Sequence, residues 1–337
     1  QETRGLFEFL REFASQGNAV IFISHKLDEV MEICDRMSVM RDGQMIGTVH
    51  REDTDQRRLA NMMVGREVIL RVDKGPAQPR ETRLEVRGLT VKASAGHDKP
   101  LVNDVSFQVR AGEILGIAGI EGNGQSELIE AITGLTHADG GKVFLMGDDV
   151  TGLSARRKRE LGLSHVPEDR NERGLVTSYT AAMNSVLGDV HRPPYSGALG
   201  LLDGDSIEAH ARRIIDEYDV RPSATSVIAA AYSGGNAQKL IVARELERDP
   251  KVLVLAQPTR GVDIGAIEFI HGQIVAARDK GLAVLLVSAD LNEVMSLSDR
   301  ILVMFEGRIM GELSGEEATA ERLGLLMAGS KVGAEAA

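Results

Sequence analysis

The feature that most constrains this chain is a glycine-rich loop, residues 119–126, with the sequence GIEGNGQS. It follows a short apolar run, residues 114–118, and precedes a helical pattern at residues 127–133. This order predicts a strand, a loop and a helix, in which backbone N–H groups and the helix N-terminus close on phosphate oxygens. Because short glycine motifs recur by chance, a turn without a ligand stays open as the alternative.

The loop departs from the phosphate-binding pattern G-x-x-x-x-G-K-[ST] at Gln125, where the pattern has a lysine. An ammonium at that position would neutralise the β- and γ-phosphates of a nucleotide, whereas an amide carries no charge. We therefore expect the loop to keep its neutral backbone donors and to be a poor catalyst.

The composition limits the compartments and partners that suit the chain. Its 39 basic and 50 acidic residues give a formal charge of −11, which argues against binding nucleic acid through a basic face. The single cysteine, Cys34, excludes an intramolecular disulfide and fits a reducing compartment such as the cytosol. No apolar run is long enough to span a bilayer, so any membrane role should be peripheral. The 337 residues suggest roughly two domains.

An internal repeat runs through the chain with an offset of 264 residues, the separation between His25 and Ala289. Residues 22–31 recur as residues 286–295, and the match continues as far as residues 59–65, which recur as residues 323–329. Only the last third of the first copy is present. We therefore expect a piece of a longer protein with two tandem copies, joined by a polar, proline-containing linker at residues 73–82.

The first copy carries a candidate functional histidine. Residues 19–23 form a short apolar run that predicts a strand buried on both faces of a parallel sheet, and His25 lies just beyond its end. Ligands of open α/β sheets bind at the carboxyl ends of strands, which favours a functional role for His25 over a structural one. The apolar positions of residues 27–34 then fall on one helical face, which predicts core packing rather than a cofactor site.

The second copy begins near Arg83. Residues 84–89 and 105–109 read as strands ahead of the glycine loop, and residues 163–166 read as a short strand that enters the charged loop of Glu168. The charges of that loop fit a solvated turn as well as a site.

The segment at residues 177–231 is predicted to be mostly helical. It contains a proline- and glycine-rich insertion, residues 191–204, that should be exposed. A helical insertion of this kind can serve as a docking surface.

Two further motifs follow. Residues 232–236 read YSGGN before a helical pattern, and this turn is either an anion-binding helix N-terminus or simply a helix cap. Residues 252–255 predict a buried strand. Phosphate hydrolysis would use an aspartate and a glutamate at its end, where this chain has Ala256 and Gln257.

These motifs, in this order, resemble those of the ATP-binding cassette family of transport ATPases. The repeat and the motifs VPEDR and GGNAQK are similar to those of double-cassette subunits of bacterial importers for simple sugars and nucleosides, and EGNGQS and AQPTRG lean toward the nucleoside branch. The resemblance implies an α/β fold, a P-loop NTPase cassette with a parallel core sheet, an antiparallel β subdomain and a helical signature subdomain. The implied domains are the end of a first cassette at residues 1–72, the linker at 73–82, a second cassette at 83–330 with its helical subdomain at about 177–250, and a flexible tail at 331–337.

The resemblance also implies ATP and Mg²⁺ as cofactors. In this family each nucleotide lies between the phosphate loop of one cassette and the Ser-Gly-Gly signature of another. His25 would be the catalytic switch residue of the first cassette, and Ser126 and Glu168 would be weak candidates for metal ligands. The residues implied in nucleotide binding are Gly119, Glu121, Gly122, Asn123, Gly124, Gln125, Ser126, Glu168, Ser233, Gly234, Gly235, Asn236, Gln257 and Asp263.

The sequence departs from the family pattern at Gln125, Ala256, Gln257 and Ala289, all on the phosphate-loop side of the second cassette. We therefore expect that site to be degenerate and the chain alone to be inactive. The intact signature would instead complete the active site of the first cassette, together with His25 and the missing half of that cassette.

The implied function is to bind and hydrolyse ATP for a bacterial importer of nucleosides or simple sugars. The subunit would lie at the cytoplasmic face of the inner membrane, with integral membrane permease subunits as partners, an extracytoplasmic solute-binding protein as an indirect partner, and no nucleic acid. Two alternatives stay open, a soluble tandem ATPase that acts on ribosomes or DNA and a non-hydrolytic nucleotide-binding regulatory module. The acidic charge and the one-sided loss of catalytic residues disfavour the first alternative.

Overall fold

The computed structural model describes residues 2–24, 26–41, 43–67, 74–93, 99–197 and 199–330. The chain divides into two compact units, Gln1–Arg71 with Asp263–Glu268, and Val72–Val262 with Phe269–Ala337. Within the described ranges, no helix combines the length and the apolar character that crossing a membrane requires. His25 and the predicted tail at residues 331–337 lie outside the described residues.

The first unit contains a β-hairpin and short helices. Its elements are α1 (Glu2–Ser15), α2 (Leu27–Ile33), β1 (Arg36–Arg41), β2 (Gln44–His50), a 3-10 turn (Arg51–Asp53) and α3 (Gln56–Val64). The antiparallel hairpin and α3 share a small core that consists of Met37, Val39, Val49 and Leu59. The predicted apolar face of α2 is confirmed, because it packs against this core through Leu27, Val30, Met31 and Cys34.

The strand predicted at residues 19–23 is wrong. These residues have no regular secondary structure, and the side chains of Ile21 and Ile23 are 91% and 92% exposed. The same run at the offset of 264 residues is a fully buried strand, Ala283–Val287, with a hydrogen-bonded neighbour along each edge. In the described part of the first unit, only β1 and β2 pair as strands. The apolar run at residues 19–23 therefore has no sheet to join.

The chain from residue 82 onward alternates strands and helices. Its elements are β3 (Thr82–Val91), β4 (Val102–Arg110), β5 (Glu113–Ala118), α4 (Gln125–Thr133), β6 (Gly140–Leu145), β7 (Asp148–Asp149), α5 (Ala155–Glu160), β8 (Leu163–Val166), a π-helical turn (Arg170–Gly174), α6 (Ala181–Ser185), α7 (Gly204–Glu217), a 3-10 turn (Ala229–Ala231), α8 (Gly234–Leu246), β9 (Val252–Ala256), α9 (Ile264–Asp279), β10 (Ala283–Val287), α10 (Leu291–Leu297), β11 (Arg300–Phe305), β12 (Arg308–Ser314) and α11 (Ala320–Met327).

Two sheets organise the second unit. A six-stranded sheet has the order β12-β11-β5-β10-β9-β8, and all its neighbours are parallel except β11 and β12. Every residue of β5, β9 and β10 is buried, which confirms the buried strand predicted at residues 252–255. The second sheet, β4-β3-β6-β7, is antiparallel. Since the parallel strands run in one direction, the loops after β5, β8, β9 and β10 leave from the same edge.

The helical prediction for residues 177–231 is wrong in extent. Among the described residues of this segment, α-helix is limited to Ala181–Ser185 and Gly204–Glu217. Between these helices the chain forms turns through a run that includes Pro193 and Pro194, which have no backbone N–H to continue a helix. Most described residues of this insertion are exposed, as predicted.

The described part of the predicted linker is residues 74–82, of which Thr82 already belongs to β3. Residues 74–81 have no helix or strand and lie against the rest of the second unit. Lys74 Nζ donates to the carbonyl oxygens of Leu297 and Ser298 at 2.8 and 2.7 Å. Arg80 donates its backbone N–H to the carbonyl of Ala111 at 2.9 Å. This segment is thus held by specific hydrogen bonds.

The sequence repeat is also a repeat of local structure. α2 and α10, β1 and β11, and β2 and β12 have the same bounds once 264 residues are added. The two hairpins even share an irregularity of register, between Val39 and Met40 in one and between Val303 and Met304 in the other. The difference is that β11 also pairs with β5, whereas β1 pairs only with β2 among the described strands.

Gly116 gives a test of the packing that holds β5. A Cβ atom at this position would lie 2.1 Å from Ser298 Oγ and 2.9 Å from Val294 Cγ1, so we expect Gly116→Ala to lower the free energy of unfolding by about 1–3 kcal/mol. Gly272 is the matched control, since it is exposed on α9 with no atom within 4 Å of a Cβ. Alanine there should be neutral or stabilise by up to about 1 kcal/mol. Urea unfolding measures both variants, and a Gly116→Ala variant as stable as the parent would contradict the close packing.

Candidate functional site

The glycine loop connects the end of β5 to the start of α4. Gly124 caps α4 in a left-handed conformation, with φ of 99°, and a Cβ there would lie 2.2 Å from the carbonyl oxygen of Leu101. Asn123 fixes the loop to the turn between β11 and β12, because its Oδ1 accepts the backbone N–H of Glu306 at 2.8 Å. The loop is therefore held in a shape that only glycine permits at position 124.

Gln125 occupies the interior of the loop. Its side chain is buried, its Oε1 accepts the backbone N–H of Asn123 at 3.1 Å, and its Nε2 donates to the carbonyl of Ile120 at 3.1 Å. Nε2 also approaches Gly119 so closely that a Cβ there would lie 2.3 Å away. The amide thus braces the loop across its opening and takes up one backbone donor that a phosphate oxygen would use.

A chain of polar contacts crosses the mouth of the loop. Ser126, in the first turn of α4, donates its hydroxyl to Glu168 Oε2 at 3.0 Å. Arg260 Nη1 donates to the other oxygen of Glu168 at 2.7 Å and to Glu121 Oε1 at 3.2 Å. The structure therefore brings together three residues that the sequence predicted for the site, Ser126, Glu168 and Glu121. It adds Arg260, whose role the sequence did not show.

A cavity of about 550 Å³ lies beside these contacts. Its lining includes Ser126, Glu168, Ala256 and Arg260. Arg170 closes its wall, because its guanidinium donates to the carbonyl oxygens of Arg260 at 2.6 Å and Gly261 at 3.2 Å. The Arg170 side chain thus ties the segment after β8 to backbone carbonyls of the loop after β9.

The oxygen atoms of Ser126 and Glu168 are of the type that Mg²⁺ prefers. No group of three or more histidine, cysteine, aspartate or glutamate residues within the described ranges is arranged to hold a metal ion. A magnesium ion at this position would therefore depend on phosphate oxygens and water for the rest of its coordination.

The ends of β9 and β10 carry three of the positions at which the sequence departs from the family pattern. Gln257 adopts a left-handed backbone conformation, with φ of 49°, and donates its N–H to the carbonyl of Val287 at 2.8 Å. Its Oε1 accepts the backbone N–H of Ala289 at 3.0 Å. Neither Ala256, Gln257 nor Ala289 supplies a carboxylate or an imidazole. The side chain of Gln257 connects the two strand ends and offers no base.

The Ser-Gly-Gly motif forms the N-terminus of α8, with Ser233 as the N-cap residue. The Ser233 hydroxyl accepts from the side chain of Asn236 at 2.9 Å, and Asn236 Oδ1 accepts the backbone N–H of Arg221 at 2.7 Å. A Cβ at Gly234 would lie 2.7 Å from Arg170 Nη2 and 2.7 Å from the carbonyl of Gly261. Gly234 therefore permits α8 to approach the loop that carries Arg260, and Gly235 follows in the first turn.

The predicted site residues also include Asp263 and His25. Asp263 groups with the first unit, where its Oδ1 accepts the backbone N–H of Ala266 at 2.9 Å near the start of α9. His25 lies outside the described residues. The roles of both residues stay predictions.

His165, in β8, lines the same cavity and was not singled out from the sequence. Its Nε2 is buried without a hydrogen-bond partner among the described residues. Burial lowers the pKa of His165 to about 4, because a charged imidazole would lose its hydration there. His165 is therefore neutral at neutral pH.

This burial gives a pH-dependent stability. The ordinary pKa of histidine is 6.5, so protons bind the unfolded chain more readily than the folded one between pH 6.5 and about 4. The stability due to neutral His165 should be complete above pH 6.5 and should be lost as the pH falls to about 4, by on the order of 2 kcal/mol. Urea unfolding over this range should show the parent losing stability relative to His165→Gln. A difference that does not change with pH would show that His165 titrates normally in the folded protein.

Comparison with known proteins gives three findings. Residues 102–260 match the family model described as ABC transporter. The chain is 45% identical over 331 residues to the nucleoside import ATP-binding protein NupA of Lactococcus lactis subsp. cremoris (strain MG1363), covering 98% of this chain and 65% of that protein. It is 48% identical over 329 residues to the guanosine import ATP-binding protein NupO of Bacillus subtilis (strain 168), covering 98% of this chain and 64% of that protein. The chain thus spans slightly less than two thirds of these relatives.

The fold has solved counterparts. The crystal structure of a nucleotide-free ATP-binding cassette from an ABC transporter superposes with a TM-score of 0.60 at 25% identity, covering 70% of this chain and 93% of the other. The predicted α/β cassette fold, with its parallel core sheet, antiparallel β subdomain and helical part, is confirmed. Together with the loop, the Ser-Gly-Gly helix N-terminus and the order of strands, these findings show that residues 102–260 have the fold of an ATP-binding cassette and match the ABC transporter family model.

Proposed function

We propose that this chain is an ATP-binding subunit of a bacterial importer for nucleosides or simple sugars. It would work as a peripheral subunit at the cytoplasmic face of the membrane, docked on integral membrane permease subunits that receive solute from an extracytoplasmic binding protein. The support comes from the relatives, which carry the names nucleoside import and guanosine import ATP-binding protein. A ribose import ATP-binding protein of Rubrobacter xylanophilus, 39% identical over 332 residues, keeps simple sugars among the candidate solutes.

The observation that carries this proposal is that the cassette has substituted residues around its own glycine loop but an intact Ser-Gly-Gly signature. At its own loop, Gln125 replaces the ammonium, and Gln257 connects two strand ends where a base would act. The Ser-Gly-Gly turn, by contrast, is a well-formed N-terminus of a 13-residue helix. We infer that this cassette binds nucleotide weakly at its own loop and that its signature completes the site of another cassette, with His25 on that second site.

The repeat supports a tandem arrangement. The hairpin of the first unit has the bounds of the hairpin in the second unit, and the first hairpin has an edge that no described strand covers. In the second unit the same edge pairs with β5, the strand that carries the glycine loop. The proposed partner of the signature is therefore a cassette whose own loop strand would pair with β1.

ATP and Mg²⁺ are the proposed cofactors of the degenerate site. The backbone donors of residues 119–126 and the N-terminus of α4 would bind phosphate oxygens, and Ser126 and Glu168 would hold the metal. When bound, the metal screens the negative charge between phosphates. The donor set fits this role, because both residues offer oxygen atoms on one side of the loop.

Uptake and co-purification test the proposal. Cells that lack the system should regain uptake of a labelled nucleoside or of ribose when the complete set of genes is restored, and the chain should co-purify with its permease. Co-purification with ribosomes or DNA, without a permease, would favour the non-transport alternative. Nucleotide binding without hydrolysis or transport in the complete assembly would favour a regulatory module.

The degenerate site makes a first prediction. Enzymes typically turn over at roughly 1–10³ s⁻¹. We expect the chain by itself to hydrolyse ATP far more slowly, because its loop has neither a general base nor the lysine of the phosphate-binding pattern. Gln257→Glu alone should not create activity, since catalytic groups that act together fail as a unit. Steady-state phosphate release measures both proteins. Robust hydrolysis by the purified parent, or a large gain from this one substitution, would contradict the assignment.

The contrast between the intact signature and the substituted glycine-loop site leads to a second prediction, for the assembled transporter. Ser233→Arg places a bulky cation on the helix N-terminus that is proposed to contact the γ-phosphate of the nucleotide held by the other cassette. His25→Ala removes a second proposed contact to that phosphate. Each variant should therefore lower ATPase activity by more than about tenfold. Gln125→Ala should change the rate far less, because it alters a site already without catalytic groups. Thr319→Arg, at the N-cap of α11, is the matched control and should leave the rate near that of the parent.

The order of the ATPase rates decides the assignment. If Gln125→Ala is as damaging as Ser233→Arg while His25→Ala has no effect, the working site lies on the opposite side from the one proposed.

A further inference from the structure

Arg260 stands between two acidic groups at the mouth of the glycine loop. Its Nη1 lies 3.2 Å from Glu121 Oε1, which belongs to the loop itself, and 2.7 Å from Glu168 Oε1. Glu168 in turn contacts the hydroxyl of Ser126 in the first turn of α4. The guanidinium is therefore linked to both sides of the position that phosphates would occupy.

The backbone and the side chain of Arg260 are held very differently. The carbonyl of Arg260 accepts from Arg170 at 2.6 Å, and its N–H donates to the carbonyl of Gln257 at 3.1 Å, so its Cα position is fixed. The exposed fraction is 55% for the Arg260 side chain and 61% for the Glu121 side chain. Ion pairs this exposed contribute little stability, and a competing anion of higher charge displaces them readily.

The loop itself offers a polyphosphate no formal positive charge. Gln125 is neutral and its amide is directed to Ile120 and Asn123, whereas Glu121 adds a negative charge to the loop. Phosphates bound here would meet backbone donors and a nearby carboxylate without a lysine to offset their charge. A guanidinium is suited to replace the missing lysine, because its planar donors match phosphate oxygens in pairs and its charge persists at any physiological pH.

We propose that Arg260 is a phosphate-binding residue of this cassette and that it replaces the loop lysine, with Glu121 as the group that competes for it. The proposal rests on the proposed function, since it assumes that the degenerate site binds ATP. Polyphosphate binding transfers the guanidinium from Glu121 to phosphate oxygens, while Arg170 keeps the backbone of Arg260 in place. Because Glu121 pairs with Arg260 in the absence of nucleotide, it lowers the affinity of the site for polyphosphate.

Binding of ATP with Mg²⁺ to the 337-residue chain, measured by calorimetry, tests this role. Arg260→Ala should weaken binding by about ten- to a hundredfold, as expected for lost hydrogen bonds to a charged group. Arg260→Lys should recover part of the loss, because it restores the charge without the paired donors. Arg212→Ala is the matched control, an exposed arginine on α7 that pairs with Glu208 outside the cavity, and it should bind as the parent does.

A second pair of variants separates a phosphate contact from a structural brace. Glu121→Gln should strengthen ATP binding several-fold, and the gain should be clearly smaller in the double variant Glu121→Gln with Arg260→Ala, where only the loss of the Glu121 charge acts. Inorganic tripolyphosphate should compete with ATP for the parent and should lose potency with Arg260→Ala. Thermal unfolding of each variant confirms that its fold is retained.

The outcomes separate the two levels of the proposal. If the parent binds ATP and Arg260→Ala binds it equally well, or if the Glu121→Gln gain is undiminished without Arg260, the role of Arg260 is refuted while the proposed function stands. If the parent binds neither ATP nor tripolyphosphate, nucleotide binding at this loop is refuted and the role of Arg260 with it.

Discussion

Strand β5 must be hydrogen-bonded along both edges, and this requirement positions every part of the candidate site. It lies between β11 and β10, and all its residues are buried. The glycine loop therefore leaves the sheet beside the ends of β10 and β9, where Ala256 and Gln257 lie. The turn after β11 completes the arrangement, since Glu306 binds Asn123 within the loop. Pairing of distant segments thus sets a geometry that the loop residues could not fix alone.

The same requirement explains why two copies of one sequence pattern have different structures. The run Ala283–Val287 is a buried strand because β9 and β5 flank it. The equivalent run at residues 19–23 lacks such neighbours among the described residues and leaves Ile21 and Ile23 exposed. The hairpins of the two copies fold alike, because their pairing is local and needs no distant strand.

The chemistry of the site follows from a few neutral or paired groups. Gln125 and Gln257 both use their amides to connect backbone segments, one within the loop and one between strand ends. These amides preserve the shape of the site without its catalytic charge. A charged group, Arg260 between Glu121 and Glu168, lies at the mouth of the loop. In the proposed function, such a cassette binds and positions a nucleotide rather than hydrolysing it.

The sequence by itself determined the elements whose signals are local. The apolar runs of β5 and β9, the glycine loop before α4 and the serine cap of α8 were all readable from residue order, because strand burial and helix capping leave their pattern in adjacent residues. The family resemblance identified the substituted positions at Gln125 and Gln257. The contact of Arg260 with Glu121 joins residues 139 positions apart, and the burial of His165 depends on the helices and loops around it. Only the tertiary structure decided these features, because the distance between two side chains and the hydration of an imidazole are set by how distant segments pack.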